Sequence, residues 1–183
     1  MAIVLASASP RRAQLLKMIT EDFEIIVSDT DESLPCDFRP EEGVAILALR
    51  KASSVFQQRP KDIVIGADTV VALQHTILGK PKDRQDAVRM LGMLQGTSHW
   101  VHTGVAVLSV CGERSFVSSA KVTFSPMSRH EIDDYVCSGE CDDKAGAYAV
   151  QGLGSRFVEQ IAGDFYTVMG LPVNRLYHLL NQL

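Results

Sequence analysis

The segment Ser7-Ala8-Ser9-Pro10-Arg11-Arg12 sets two small hydroxyl side chains at the end of an apolar run and two guanidinium groups immediately after them. A helix beginning at Pro10 would aim its positive dipole end at this spot, and arginine adds planar, paired donors for phosphate oxygens. The pattern suits an anion, and a plain helix cap with a solvated first turn accounts for the same residues as well. Carboxylates gather at Asp29, Asp31 and Glu32, at Asp68, and at Asp142-Asp143; a hard divalent cation takes such oxygens. Asp68 follows the apolar stretch Ile63-Val64-Ile65-Gly66-Ala67, where a rigid strand can hold a carboxylate at a cleft. Asp31 and Glu32 read on composition as an exposed acidic loop. Lys51, Lys80 and Lys144 stand beside small or turn residues, in Arg50-Lys51-Ala52, Gly79-Lys80-Pro81 and Asp143-Lys144-Ala145. Lys51 falls on the apolar face of its helix, and a buried ammonium needs an anionic partner, for which a phosphate is a candidate. For each lysine the alternative is a side chain that snorkels to the surface. Cations and carboxylates at the ends of elements suit a metal-bound polyphosphate, and residue chemistry alone does not name the nucleotide.

Those groups need elements to hold them. Ile3-Val4-Leu5 predicts a strand, with Ser9 and Pro10 as N-cap and first residue of a helix that turns Leu15, Leu16 and Ile19 inward. Glu24 to Val27 predicts a second strand and Ser28 to Pro35 a polar loop. Pro40-Glu41-Glu42 then opens a helix burying Val44, Leu47, Ala48 and Val55, its acidic first turn matched to the helix dipole. Ile63-Val64-Ile65 and Thr69 to Leu73 read as strand on either side of a break at Gly66-Ala67-Asp68, and Gln74-His75-Thr76 as a turn into Ile77-Leu78. Asp83 caps a helix carrying Ala87, Met90, Leu91 and Leu94, closed by Gly96. Trp100 to Val110 and Ser115 to Phe124 read as long strands around Cys111-Gly112-Glu113-Arg114, and Ser128 with Glu131 predicts a capping box for a helix reaching about Cys137. Phe157 to Ile161 and Phe165 to Met169 predict a hairpin around Gly163-Asp164. Leu171-Pro172 starts a last helix burying Val173, Leu176, Leu179, Leu180 and Leu183. The whole is an α/β protein with a mixed sheet, two lobes of one compact unit over residues 1–183.

Composition excludes several classes of function. Of 183 residues, 18 are Lys or Arg and 22 Asp or Glu, a net charge of −4 with no basic stripe, so duplex nucleic acid is not an expected partner. No stretch approaches the roughly 20 apolar residues of a membrane span. The apolar run Met1 to Ala6 meets Arg11-Arg12 too soon for a secretory signal, and the cytoplasm is the expected location. Cys36, Cys111, Cys137 and Cys141 form no C-x-x-C pair and read as reduced structural thiols. His75, His99, His102, His130 and His178 show no zinc-ligand spacing and take no role. Gly152-Leu153-Gly154 lacks the third glycine of a dinucleotide fingerprint, and neither a G-x-x-x-x-G-K-[ST] phosphate loop nor a G-x-S-x-G elbow occurs.

Taken in order, Ser7-Ala8-Ser9-Pro10-Arg11-Arg12, Lys51-Ala52, Gly66-Ala67-Asp68-Thr69-Val70-Val71, Gly79-Lys80-Pro81, the run Asp143-Lys144-Ala145-Gly146-Ala147-Tyr148-Ala149-Val150-Gln151-Gly152 and Gly170-Leu171-Pro172 resemble the Maf-like nucleotide pyrophosphatases, from Val4 to Leu180. The resemblance implies an elongated mixed β-sheet flanked by helices, with a central cleft, related to inosine triphosphate pyrophosphatases. It implies dependence on Mg²⁺ or Mn²⁺ and hydrolysis of nucleoside triphosphates to monophosphate and pyrophosphate. By matching motif, Asp68 is the expected proton acceptor, and Asp68 with Glu32 the expected metal ligands. Arg11, Arg12, Lys51 and Lys80 are the expected phosphate clamp, completed by Ser7 and Ser9. Within the family, Thr69 and Gln151 resemble the branch acting on dTTP and UTP, with Arg11 a further specificity position; Ala149 stands where that branch usually has Gly. A non-catalytic nucleotide-binding regulator of septum formation is the alternative the resemblance carries, and a homodimer is an assembly it admits.

Overall fold

The chain is described here from a computed structural model that covers residues 1–33, 38–74 and 76–183. Cys36, the end of the Ser28 to Pro35 loop, and His75 lie outside the described residues. Short apolar runs at the start of the chain form a parallel arrangement. Strand β1 (Ile3–Ala6) pairs with β2 (Glu24–Ile25) on one side and β3 (Ile63–Leu73) on the other, with Ile3 opposite Ile63 and Ala6 opposite Gly66. Strands buried on both faces read as continuous apolar runs, which is what Ile3 to Ala6 and Ile63 to Ala67 are. Beyond them come β4 (Thr76–Leu78), antiparallel to β3, and the long strands β5 (Ser98–Ser109), β6 (Gly112–Phe124) and β7 (Val158–Ala162). Among the described residues this is a seven-stranded mixed sheet of order β2-β1-β3-β5-β6-β7, with β4 off that path.

Six helices accompany the sheet among the described residues: α1 (Pro10–Leu16), α2 (Pro40–Phe56), α3 (Arg84–Leu94), α4 (Arg129–Cys137), α5 (Phe165–Met169) and α6 (Val173–Leu180). Their starts follow local chemistry. Pro10 and Pro40 occupy first-turn positions where a missing N–H costs nothing. The Asp83 carboxylate accepts the Asp86 N–H, and Ser128 and Glu131 cap each other's backbone at the head of α4.

The chain forms two compact units, passing between them within β3, β5 and β6 and again between Met169 and Gly170. The first comprises Met1–Thr69, Thr103–Ser118 and Gly170–Leu183; the second comprises Val70–His102 and Ser119–Met169. In the first, Val4, Ala6, Ala48, Ala52, Val64 and Ala106 form one buried cluster, and Leu5, Leu15, Leu16, Ile65, Leu171 and Leu176 are fully buried as well. The second buries larger ones, among them Leu91, Leu94, Phe124, Tyr135, Tyr148 and Phe157.

Four expectations are corrected. Residues 63 to 73 form one unbroken strand, because Gly66 marks a close approach of backbone and not a break. Phe165 to Met169 is a helix instead of a strand: the Asp164 carboxylate accepts the Tyr166 and Thr167 N–H groups and the Thr167 hydroxyl, which satisfies a helix start. Strand β2 ends at Ile25, two residues before Val27. Only Leu176 of α6 is fully buried, while Val173, Leu179, Leu180 and Leu183 are half-buried, and Ile19 is half-buried beyond the end of α1. The other elements lie within a few residues of their expected places.

Candidate active site

Helix α2 and strand β3 meet where both are small. A Cβ at Gly66 would strike the Ala48 carbonyl oxygen and come within 2.7 Å of the Ala52 backbone nitrogen, and one at Gly104 on β5 would strike the Val44 carbonyl. The helix therefore rides directly on the strands. Lys51 lies one turn from Ala48 on the same buried face as Val44, Leu47 and Val55, so its long side chain reaches along the strand instead of out to water. Residues 66 and 68 share a face of β3, because side chains alternate along a strand. The result is a hydrogen-bonded ion pair, Lys51 Nζ to Asp68 Oδ1 at 2.6 Å, with side chains only 9% and 11% exposed. The same ammonium lies 2.8 Å from Glu32 Oε1, on a side chain that is 63% exposed.

The turn from β1 into α1 builds the second part. Ser7 is buried, and its Oγ accepts the Ser9 N–H at 3.2 Å. Ser9 takes the N-cap position without a side-chain cap bond. Arg12 reaches inward and places three donors: Nε to the Gly170 carbonyl at 2.9 Å, one terminal nitrogen to Ser7 Oγ at 3.3 Å, the other to Thr69 Oγ1 at 3.0 Å. Thr69 is hydrogen-bonded in turn to the fully buried Thr103 at 2.9 Å. Burial lowers the Arg12 guanidinium below its ordinary value; the negative charge of Asp68 works against that and the positive charge of Arg11 adds to it. Gly170, at φ +107°, turns its carbonyl to Arg12 in a backbone conformation that favours glycine. Ser7, Ser9, Arg12, Glu32, Lys51, Asp68 and Thr69 thus belong to the first unit, as does the half-buried Arg11.

Lys80 and Gln151 belong to the second unit, and both are exposed. The Gly79 carbonyl accepts the Gly146 N–H at 3.0 Å, which ties the turn before Lys80 to the run from Asp143 to Gly152. Tyr148, in that run, is hydrogen-bonded to His99 Nε2 at 2.8 Å inside an aromatic cluster with Phe124. Burial pushes the His99 imidazole down to about 4, which keeps it neutral and structural.

Sequence reasoning missed Thr103, the Gly170 carbonyl and the closeness that Gly66 and Gly104 permit. The signals were a threonine beside a glycine inside an apolar strand and a glycine ahead of Leu171-Pro172. Among the described residues, no three His, Cys, Asp or Glu side chains gather as a metal site. Asp68 and Glu32 nevertheless bring two hard carboxylates to one cation, the Lys51 ammonium. That donor set fits Mg²⁺ or Mn²⁺, since Mg²⁺ is commonly held by one or two carboxylates with substrate phosphates and waters completing the shell.

A mixed open sheet flanked by helices defines the broader class: the fold is similar to that of the Staphylococcus aureus Ham1 protein, with a TM-score of 0.54 at 15% identity over 98% of both chains. The family follows from sequence. The chain matches the family described as Maf-like protein over residues 2–183, and it belongs to that family. It is 47% identical over 181 residues to the dTTP/UTP pyrophosphatase of Geobacillus sp. (strain WCH70), covering 99% of this chain and 97% of that protein. It is 46% identical over 180 residues to the dTTP/UTP pyrophosphatase of Bacillus anthracis (strain CDC 684 / NRRL 3495), covering 98% of this chain and 94% of that one. No helix among the described residues is long and apolar enough to cross a membrane.

Proposed function

We propose that this chain hydrolyses UTP and dTTP to the nucleoside monophosphate and pyrophosphate in the cytoplasm. The observation that carries the reading is the Lys51 ammonium shared by Asp68 and Glu32, an aspartate held on a rigid strand with its charge compensated. The relatives' names supply the substrates.

Hydrolysis at the α-phosphorus forms a bond from a water oxygen to phosphorus and breaks the bond to the pyrophosphate oxygen, while the water gives up a proton. Asp68 takes that proton. Its Oδ1 is engaged by Lys51, so Oδ2 is the oxygen assigned to the water. Lys51 offsets the cost of holding a carboxylate in a buried place and keeps it in one rotamer. A divalent ion bound by Asp68, Glu32 and phosphate oxygens would polarise the phosphoryl group as a Lewis acid. Arg11 and Ser9 are assigned to phosphate oxygens, with Ser7 and Arg12 shaping that end of the site from within. Arg12 also fixes the hydroxyl of Thr69, the residue after Asp68 on β3. Lys80 is assigned to phosphate and Gln151 to the base, both on the motifs that carry them. A uracil or thymine edge offers O4 as acceptor and N3–H as donor, and a Gln amide can answer both.

The test is product analysis on UTP, dTTP, CTP and GTP with Mg²⁺ or Mn²⁺. The expected outcome is UMP or dTMP with pyrophosphate, and slower turnover of CTP and GTP. Release of orthophosphate and a nucleoside diphosphate, or tight binding without turnover, would overturn the reading.

A further inference from the structure

The loop 149–154 carries Gln151, and one tyrosine and one glutamate of the second unit grip it from both sides. Tyr135, fully buried in α4, donates its hydroxyl to Glu140 Oε2 at 2.9 Å and accepts the Ala149 N–H at 3.0 Å. Glu140 Oε1 accepts the Leu153 N–H at 2.9 Å, and Oε2 accepts the Gly154 N–H at 2.9 Å. The backbone is thus held two residues before Gln151 and again two and three residues after it. The glycines allow the approach. Gly152 sits at φ +119°, and a Cβ there would run into the Glu140 carboxylate; a Cβ at Gly154 would strike the Ala149 carbonyl and come within 2.8 Å of the Tyr135 hydroxyl. This gives Gly152-Leu153-Gly154 a purpose unrelated to dinucleotides.

The charge on Glu140 is part of the fit. Every partner above is a donor, so the carboxylate serves as an anion; burial opposes that, and the Leu153, Gly154 and Tyr135 donors outweigh it and hold the group below the ordinary carboxylate range. A glutamine in its place would have to turn its NH₂ toward the Leu153 N–H or toward the Gly154 N–H.

We infer that Tyr135 and Glu140 are positioning residues for substrate choice: they set the backbone from which Gln151 meets the base. This rests on the base-reading assignment of Gln151. An amide can answer uracil in one orientation and cytosine in the flipped one, so the residue type alone does not separate UTP from CTP. The separation depends on where the backbone places the amide, and that is what the clamp fixes.

The experiment compares kcat/KM for UTP and CTP in the wild type, Glu140→Gln, Tyr135→Phe, Gln151→Ala and the Glu140→Gln/Gln151→Ala pair, with thermal unfolding of each. Glu140→Gln should lower the UTP-to-CTP ratio by about tenfold, from lost hydrogen bonds and a misplaced amide. Tyr135→Phe, which keeps the ring packed on Phe157, should shift the ratio in the same direction. In the Gln151→Ala background the Glu140 change should leave the ratio where Gln151→Ala already put it, because the two act as one unit. If Gln151→Ala lowers the ratio and Glu140→Gln does not, or lowers both substrates equally, the clamp is merely structural and the inference fails. If Gln151→Ala itself leaves the ratio unchanged, the base-reading assignment fails, and the inference with it.

Discussion

Lys51 takes a positive charge into the packed face of a helix, and two carboxylates on separate parts of the chain meet it. Removing one member of such a buried pair leaves the other charged and unsolvated, which typically costs about 3–5 kcal/mol. Lys51→Met should therefore lower the free energy of unfolding by an amount in that range. Lys80→Met, at an exposed turn, should stay within about 0.5 kcal/mol of wild type. Urea unfolding of the two variants decides this, and equal midpoints would return Lys51 to the status of a surface lysine. The lysine's inward position was legible in the sequence, since its spacing from Val44, Leu47, Ala48 and Val55 follows the helical period. Its partner was not. Nothing in the local pattern says that a residue on another element brings an opposite charge to that ammonium. Arg12 shows the same limit: its motif points to phosphate, and nothing in that motif tells that three of its donors are placed on Gly170, Ser7 and Thr69.

At the scale of elements, the decisive contact is the close packing of α2 on β3 and β5 at Gly66 and Gly104. Gly66→Ala forces a methyl against the backbone of α2. Overpacking of this kind costs about 1–3 kcal/mol, and the displaced helix should draw Lys51 off Asp68, lowering turnover as well as stability. Gly92→Ala makes a matched control. That glycine lies exposed inside α3 with open space where a Cβ would stand, and the change should stabilise by about 0.4–1 kcal/mol. Thermal unfolding that moved both variants the same way would contradict the packing argument. The starts of α2, α3 and α4 were legible because prolines, caps and a capping box are local signals. Strand continuity through Gly66-Ala67-Asp68 and the helix from Phe165 to Met169 were not. A glycine that ends a strand and one that admits a helix look alike in sequence, and an aromatic, β-branched segment gives no notice that the Asp164 carboxylate will cap it.

On the scale of the whole molecule, the chain divides its core in two: the first unit's is aliphatic, with Ala48 and Ala52 flanking Lys51, and the second unit's adds the aromatic rings of Phe124, Tyr135, Tyr148 and Phe157. The alternation of strand and helix patterns announced an α/β protein, and the ordered set of short motifs announced the family. The membership is now carried by a match from residue 2 to residue 183. Periodicity could not reveal which residues fall in which unit, because three of the four changes of unit lie inside β3, β5 and β6, where no turn or linker marks the passage. The account turns on Asp68 as the proton acceptor of a nucleotide pyrophosphatase. Asp68→Asn keeps the shape of the side chain and removes its basicity, so the direct measurement is pyrophosphate release from UTP by this variant, beside its UTP binding by calorimetry. The prediction is a fall in turnover of about 10²–10⁴-fold with binding still measurable; turnover within a few-fold of wild type would contradict it.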